Sequence, residues 1–312
     1  MYDLIGDIHG HASELKALLT KLGYEEKDGV WQHPERQVIF LGDFIDRGPE
    51  QIESVRIPMR MVEAGQALAV MGNHEFNAIA WAKPDRKNPG EYLRPHTEKN
   101  RNQHQVFLDA VGEDSSVHAE YIEWFKQLPF YLDLPELRVV HACWHPQYID
   151  CLKPFLDDQQ RALPNAWPSL TSRDTVPFEA AEVVLKGLEI PLPDGHAFED
   201  KDGNERTDIR AEWWNLHGAT YRDLAMVPTE VIEQIPHTPV PEHILPGYDQ
   251  KKPVFVGHYW LRGEPELMAD QIACLDYSIG AKGLGNDEGC KLVAYRWEGE
   301  LALNPEHFVW VR

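Results

Sequence analysis

Three short polar blocks stand within the first 75 residues, and each directly follows an apolar run. In one-letter code they are GDIHG at residues 6–10, GDFIDRG at 42–48 and GNHE at 72–75. Glycines in these blocks permit tight turns and a close approach of the backbone. The blocks supply oxygen and imidazole donors from Asp7, His9, Asp43 and Asn73. This donor set suits a hard or borderline divalent ion such as Mn²⁺, Fe²⁺ or Zn²⁺, and it lacks the thiolates of a structural zinc site.

Two later histidines stand in the same context. His141 ends the apolar run that begins at Leu137, and His258 follows Val254–Val256 and one glycine. Either histidine alone would more often be structural than a ligand. Because ligands bind beyond the carboxyl ends of the strands in open α/β sheets, the two histidines become the fourth and fifth strand-end candidates of one site.

Apolar runs of strand length recur along the chain and would position these blocks. Amphipathic stretches at helical spacing alternate with them near Leu15–Leu22, Gln51–Gly65 and Val117–Leu128, and Pro58 is expected to break or kink the second. This alternation predicts an α/β layered core. The predicted strands are Tyr2–Ile5, Val38–Leu41, Ala67–Met71, Leu137–Ala142, Val254–Val256, Ile272–Leu275, Leu292–Trp297 and Phe308–Val311.

The pattern degrades between about residues 151 and 252, where prolines recur and only Ala180–Leu188 has clear helical spacing. Such a stretch predicts long loops and short helices packed over one end of the core, where specificity would reside. We therefore expect one domain over residues 1–312, with a loop-rich cap or specificity insertion at about 151–252.

Composition excludes several classes of protein. The formal net charge is −21, which disfavours a nonspecific nucleic-acid binder because such proteins need surplus cations. Hydrophobic residues make up 43% of the chain, enough for a core. No apolar run approaches the roughly 18 residues of a membrane span, and the chain opens on a strand-like segment rather than a secretory leader. We expect a cytoplasmic protein without membrane or nucleic-acid partners.

The blocks, together with His141 and Gly257-His258, resemble the calcineurin-like metallophosphoesterases, and within them the phosphoprotein phosphatase branch. The resemblance spans most of the chain in the family's order and implies a four-layer sandwich, two mixed β-sheets flanked by helices. It also implies two divalent metal ions, Mn²⁺ being expected and Fe or Zn being alternatives, bridged by Asp43. Asp7 and His9 would hold the first ion, and the second would be held by Asn73, His141 and His258.

The same resemblance assigns roles to further residues. His74 would protonate the leaving group as general acid, and Asp46 would orient it and favour its charged form. Arg47 offers a planar fork to phosphate oxygens, and Asn73 would also contact phosphate. A second phosphate-binding arginine is expected from the family, for which Arg210 is the candidate and Arg206 the next.

The sequence predicts the type of reaction more specifically than it predicts the substrate. Trp260 stands where a second histidine is common in the wider superfamily, which favours the phosphoprotein phosphatase branch over nucleases and phosphodiesterases. Met71 and Ala142-Cys143 depart from the eukaryotic protein phosphatases. We expect hydrolysis of phosphate monoesters by in-line attack of a hydroxide between the metals, on a phosphorylated small molecule, nucleotide or phosphopeptide. The alternatives are a symmetrical dinucleoside tetraphosphatase acting on diadenosine tetraphosphate-type anhydrides, and a catalytically silent binding module.

Overall fold

Two mixed β-sheets form the centre of the computed structural model, which describes residues 1–199, 205–215, 219–241, 244, 248–283, 285 and 287–312. The strands are β1 (Tyr2–Ile5), β2 (Glu25–Lys27), β3 (Val30–Gln32), β4 (Gln37–Phe40), β5 (Ala67–Ala69), β6 (Tyr131–Asp133), β7 (Arg138–Val140), β8 (Glu189–Pro191), β9 (Phe198–Glu199), β10 (Glu205–Arg206), β11 (Asp208–Arg210), β12 (Val254–Val256), β13 (Ile272–Cys274), β14 (Asp276–Tyr277), β15 (Lys291–Trp297) and β16 (Phe308–Val311). The helices are α1 (Ala12–Leu22), α2 (Gln51–Glu63), α3 (Asn73–Ala82), α4 (Glu98–Val111), α5 (Ser116–Phe125), α6 (Pro146–Leu152), α7 (Trp167–Thr171), α8 (Val176–Lys186) and α9 (Tyr221–Leu224).

The larger sheet has the strand order β14-β15-β1-β4-β5, and β16 pairs with the far edge of β15. Strands β1, β4 and β5 run parallel, so their carboxyl ends meet at one edge of the sheet. The smaller sheet has the order β13-β12-β7-β6, in which β13, β12 and β7 are parallel. Each sheet therefore presents a row of strand ends followed by loops.

Alternating side chains divide the core into layers, as the period of two in a strand requires. Leu4 and Ile39 of the larger sheet pack with Val139 and Phe255 of the smaller one, in an apolar layer between the sheets. Their chain neighbours, such as Ile5, face the helices instead. The result is the predicted four-layer arrangement of helices, two sheets and helices.

All eight predicted strands are present, with ends that differ by a few residues. The prediction that Pro58 breaks the second helix was wrong, because α2 runs through this residue from Gln51 to Glu63. Proline removes one backbone hydrogen bond, but Pro58 is buried together with Val55, Ile57 and Met61. Burial of that apolar face offsets the lost hydrogen bond.

The predicted insertion at 151–252 contains, among its described residues, the short helices α7, α8 and α9 and the two-stranded pairs β8–β11 and β9–β10. Helix α8 begins at Val176, earlier than predicted, where Thr175 caps it by accepting from the backbone N–H of Phe178. Within the part of the chain that the structure describes, no helix has the length and apolar character needed to cross a bilayer.

Candidate metal centre

The three polar blocks lie at the carboxyl ends of β1, β4 and β5, and both later histidines lie just beyond the strands of the smaller sheet. His141 directly follows β7, and His258 follows β12 after one glycine. The hydrogen bond from the backbone N–H of His258 to Oδ2 of Asp7, 3.0 Å long, joins the two sheets at this point. All the predicted ligands therefore meet at one edge of the sandwich. We call this set the floor of the cleft: Asp7, His9, Asp43, Asn73, His141 and His258.

Asp43 occupies the middle of the floor. Its Oδ2 lies 3.6 Å from Nε2 of His9 and 3.3 Å from Nε2 of His141. His9 Nε2 also lies 3.9 Å from Oδ2 of Asp7. On the other side, Oδ1 of Asn73 lies 2.8 Å from Nδ1 of His258 and 3.2 Å from Nε2 of His141. Asp43 thus stands between two groups of donors, as a bridging carboxylate would.

Three buried polar atoms of the floor have no hydrogen-bond partner in the part of the chain that the structure describes: Oδ1 of Asp7, Nε2 of His9 and Nε2 of His258. Each such atom costs about 1–3 kcal/mol if nothing binds it. The second ring nitrogens of His9 and His141 are held by the carbonyl oxygens of Ile45 and Leu41 at 2.9 and 2.7 Å. Such bonds turn Nε2 toward the site, as in histidines that bind metals. The donor set therefore fits divalent cations.

The charges on the floor also fit a cation. Burial lowers the pKa of His9 to about 4 and lowers that of His258, so both rings are neutral, as metal binding requires. Burial alone would raise the pKa of Asp43, but His141 and His74 outweigh it and keep Asp43 ionised. Burial opposes protonation of His141, yet Asp43 raises its pKa to about 10. A proton on His141 therefore occupies part of the space and charge that a cation would take.

Glycine is required where the loops approach the carboxylates. A Cβ on Gly72 would lie 2.2 Å from Oδ1 of Asp43, and one on Gly257 would lie 2.1 Å from Oδ1 of Asp7. Three floor residues, His9, Asp43 and His258, adopt φ values of 47°, 51° and 71°, in the left-handed region that non-glycine residues rarely occupy. Such backbone conformations cost on the order of 1–3 kcal/mol and occur mainly at functional sites.

Glu75 is a functional residue to which the sequence analysis gave no role. Its carboxylate is fully buried and accepts from the backbone N–H groups of Asp43, Phe44 and Gly72, at 2.8–3.0 Å. It therefore ties the second block to the third. Burial, with a contribution from Asp43, raises its pKa to about 7. Its place within GNHE was the available signal.

His74 and Asp46 form the predicted pair. Nδ1 of His74 lies 2.6 Å from Oδ2 of Asp46, and Nε2 faces the floor, 4.0 Å from Oδ2 of Asp43. Burial would lower the pKa of His74, but Asp43 and Asp46 raise it above its ordinary value. The ring retains 12% of its exposure, so it is accessible from the cleft.

Arg47 lies at the entrance to the floor, where its guanidinium stands 5.5 Å from the Trp260 ring. The two later arginine candidates lie on strands that are consecutive in the chain but belong to different two-stranded sheets, Arg206 on β10 and Arg210 on β11. Arg206 lines the cleft, whereas Arg210 is absent from the lining residues and lies 3.6 Å from Glu189. Arg210 is still close enough to His258 to lower the pKa of that histidine. Its role as a second phosphate ligand remains a prediction.

A cleft of about 920 Å³ opens above the floor. Besides Arg47, five cationic side chains among the described residues line it. We call them the wall of the cleft: Arg94, Lys99, Arg173, Lys186 and Arg206. Of these, Arg206 was a candidate from the sequence and the other four were not. Lys186 is paired with Glu182 at 2.5 Å, and Arg206 lies 3.9 Å from Glu189. Neither Lys99 nor Arg173 forms an ion pair with any residue that the structure describes.

Comparison with known proteins identifies one family whose model matches most of the chain. The family model described as calcineurin-like phosphoesterase matches residues 2–270. An asymmetrical bis(5'-nucleosyl)-tetraphosphatase PrpE from Bacillus velezensis is 49% identical over 144 residues, which are 45% of this chain and 55% of that protein. A symmetrical bis(5'-nucleosyl)-tetraphosphatase from Vibrio cholerae is 30% identical over 146 residues, 46% of this chain and 45% of that protein. The chain spans about half the length of the curated relatives it matches.

Among solved structures, a protein serine/threonine phosphatase from Saccharomyces cerevisiae is similar with a TM-score of 0.49 and 13% identity, covering 99% of this chain and 78% of that one. A cold-active protein-tyrosine phosphatase from a psychrophilic Shewanella species has a TM-score of 0.46 and 16% identity, covering 96% and 78%. The match of the family model over most of the chain is the decisive finding. The chain belongs to the calcineurin-like phosphoesterase family.

Proposed function

We propose that the protein is a di-metal phosphoesterase that hydrolyses phosphate monoesters. The observation that carries this proposal is the convergence of the whole floor on Asp43, beside the His74–Asp46 pair and Arg47. Binding alone would need no general acid next to the cation site. A catalytically silent module would therefore leave His74 and Asp46 without a purpose.

The floor would hold the two cations in the predicted way. Asp7, His9 and Asp43 would bind one ion, and Asp43 would share the other with Asn73, His141 and His258. When bound, two divalent cations supply Lewis-acid activation of water and neutralise the charge of the phosphoryl group. Mixed nitrogen and oxygen donors are compatible with Mn²⁺, Fe or Zn, and Mn²⁺ is the ion that we would load first.

His74 would deliver a proton to the departing oxygen from Nε2. Its Nδ1 is hydrogen-bonded to Asp46, and the neighbouring carboxylates raise its pKa against the effect of burial, which favours the charged ring that a proton donor needs. Arg47 would donate hydrogen bonds from its planar guanidinium to two phosphate oxygens, since it has no carboxylate partner among the described residues. Trp260 limits where that guanidinium can move.

The wall supports a second candidate, hydrolysis of dinucleoside tetraphosphates. Lys99 and Arg173 have no ion-pair partner within the described part of a protein of net charge −21, and both line the cleft that contains the floor. A monoester would leave them without a partner, whereas a polyphosphate chain carries several charges. The names of the relatives agree with this substrate class. Residues 151–252, which supply Arg173, Lys186 and Arg206, would then act as the proposed specificity insertion.

The test is a substrate panel with Mn²⁺-loaded protein: 4-nitrophenyl phosphate, phosphopeptides, mononucleotides and diadenosine tetraphosphate. Asp43→Asn should lower kcat/KM by more than about 100-fold on every active substrate, beyond the 10–100-fold typical of changes outside the ligand shell. Undiminished activity in this variant would overturn the proposed mechanism. Metal analysis distinguishes the proposed enzyme from a catalytically silent binding module, which would bind less than one ion per chain.

A further inference from the structure

A second buried histidine stands behind Asp46. His104, on α4, is fully buried, and its Nδ1 lies 2.8 Å from Oδ1 of Asp46. Oδ2 of the same carboxylate lies 2.6 Å from Nδ1 of His74. Asp46 thus contacts one imidazole through each of its oxygens, and the three side chains form a continuous row from α4 to the floor.

The direction of both hydrogen bonds follows from the charge of Asp46. Burial alone would raise the pKa of Asp46, but His104 and His74 outweigh it and hold the pKa well below the ordinary value. An ionised carboxylate can only accept, so each histidine donates from Nδ1. His74 is thereby held with its Nε2 toward the floor.

The packing around His104 fixes its ring. Phe107 stacks on it with ring centroids 5.1 Å apart, and Trp81 meets it at 6.0 Å. Its Nε2 is buried and has no hydrogen-bond partner among the residues that the structure describes. Leaving that nitrogen unsatisfied costs free energy of folding, which a leucine at this position would avoid. A leucine would, however, leave Oδ1 of the buried Asp46 without the donor that His104 provides, so the hydrogen bond to Asp46 accounts for a histidine at this position.

We propose that His104 is a positioning residue for the reaction: it fixes the Asp46 carboxylate, and through Asp46 it fixes the orientation of His74. The inference rests on the proposed function for the role of His74 as proton donor. His104 itself touches neither the floor nor the cleft, so its effect passes entirely through Asp46. The neighbouring Gln103 and Lys99 line the cleft, which makes α4 a link between the wall and the proton donor.

Two variants separate the hydrogen bond from the packing. In His104→Leu a branched apolar side chain fills the position of the ring, but the N–H donor to Asp46 is lost. In His104→Asn the amide nitrogen stands where Nδ1 was, so the donor remains. His118→Leu is the matched control, because His118 is also a buried histidine packed against Phe107 but does not contact Asp46. Thermal unfolding and metal content of all three variants show whether the fold and the floor are intact.

Kinetics supply the first measurement. General acids contribute about 10²–10⁴-fold, and a residue that aligns one should carry about tenfold of this. For phenyl phosphate, whose leaving group needs a proton, we expect His104→Leu to lower kcat about tenfold with KM nearly unchanged. For 2,4-dinitrophenyl phosphate the loss should be smaller than about threefold, and His104→Asn should restore most of the activity. An equal loss on both substrates, or the same behaviour in His118→Leu, would overturn the inference.

Proton NMR of the zinc-loaded protein gives a measurement that does not depend on turnover. The downfield imidazole N–H resonance that disappears in His74→Asn reports the His74–Asp46 bond. It should shift or broaden in His104→Leu and stay near its original position in His104→Asn and His118→Leu. An unchanged resonance in His104→Leu would refute the positioning role even if the protein hydrolysed no phosphate monoester. If the expected shift occurred in His104→Leu but the unmodified protein had no phosphatase activity, the proposed function would be refuted and the contact of His104 with the His74–Asp46 pair would stand.

Discussion

The floor and the wall of the cleft use charged residues in opposite ways. Floor residues are buried, stand at the ends of strands and contact one another at 2.8–3.9 Å. Wall residues come from α4, α8, β10 and two connecting segments, and Lys99 and Arg173 have no ion-pair partner among the described residues. The floor therefore tolerates few changes, whereas the wall can be altered without disturbing the core. We therefore propose that the floor determines the type of reaction and that the wall determines the preference among phosphorylated substrates.

Among changes outside the predicted metal ligands, we expect Glu75→Gln to damage the floor most. The three backbone N–H groups that Glu75 accepts would meet an amide with one acceptor and one donor end. Changes to groups that support metal ligands typically cost 10–100-fold, so we expect Mn²⁺ affinity and kcat/KM to fall by about that factor. Glu50→Gln is the control, because Glu50 also accepts a backbone N–H, from Ser13, at an exposed position. Equal metal affinity in Glu75→Gln and the unmodified protein would contradict this account.

The floor should also bind metal in competition with protons. Without a cation, Asp43 raises the pKa of His141 to about 10, so the ring carries a proton at neutral pH. Metal binding at Nε2 displaces that proton, and affinity should therefore increase with pH, by about tenfold per unit below this pKa for one proton released. Titration calorimetry between pH 7 and 9, in two buffers with different ionisation enthalpies, measures the proton count. A flat dependence on pH would show that His141 is neutral before metal binds.

The wall should respond more weakly and only to extended substrates. Arg173→Ala and Lys99→Ala each remove one unpaired cation, for which we expect KM for diadenosine tetraphosphate to rise about three- to tenfold. Turnover of 4-nitrophenyl phosphate should stay within about twofold, because we expect this small, singly phosphorylated substrate to contact the floor and not the wall. Lys186→Ala is the matched control, since Glu182 already neutralises Lys186. Identical losses on both substrates would erase the distinction between floor and wall.

The same division decides what could be predicted from the sequence. Floor residues were found because polar blocks directly after apolar runs are local signals, and parallel strands bring their ends together. Helix α4 was missed because its buried positions are few and His104 interrupts the apolar stripe. Arg94 and Arg173 lie on connecting segments, where no periodicity marks a side chain that faces a cleft. Arg206 and Arg210 are four residues apart in the chain, and only the structure shows which one lines the cleft.

Trp260 lies between the two regions, and its replacement should have the smallest effect. It follows His258 in the chain, but it keeps 36% of its exposure and stands over Arg47. A cation–π contact of about 0.5–1 kcal/mol corresponds to a two- to fivefold rise in KM for Trp260→Ala, with Trp260→Phe retaining most of the affinity. An equal effect on the monoester and the dinucleotide would show that Trp260 acts on Arg47 and belongs with the floor. An effect confined to the dinucleotide would instead place the indole against the extended part of the substrate, with the wall.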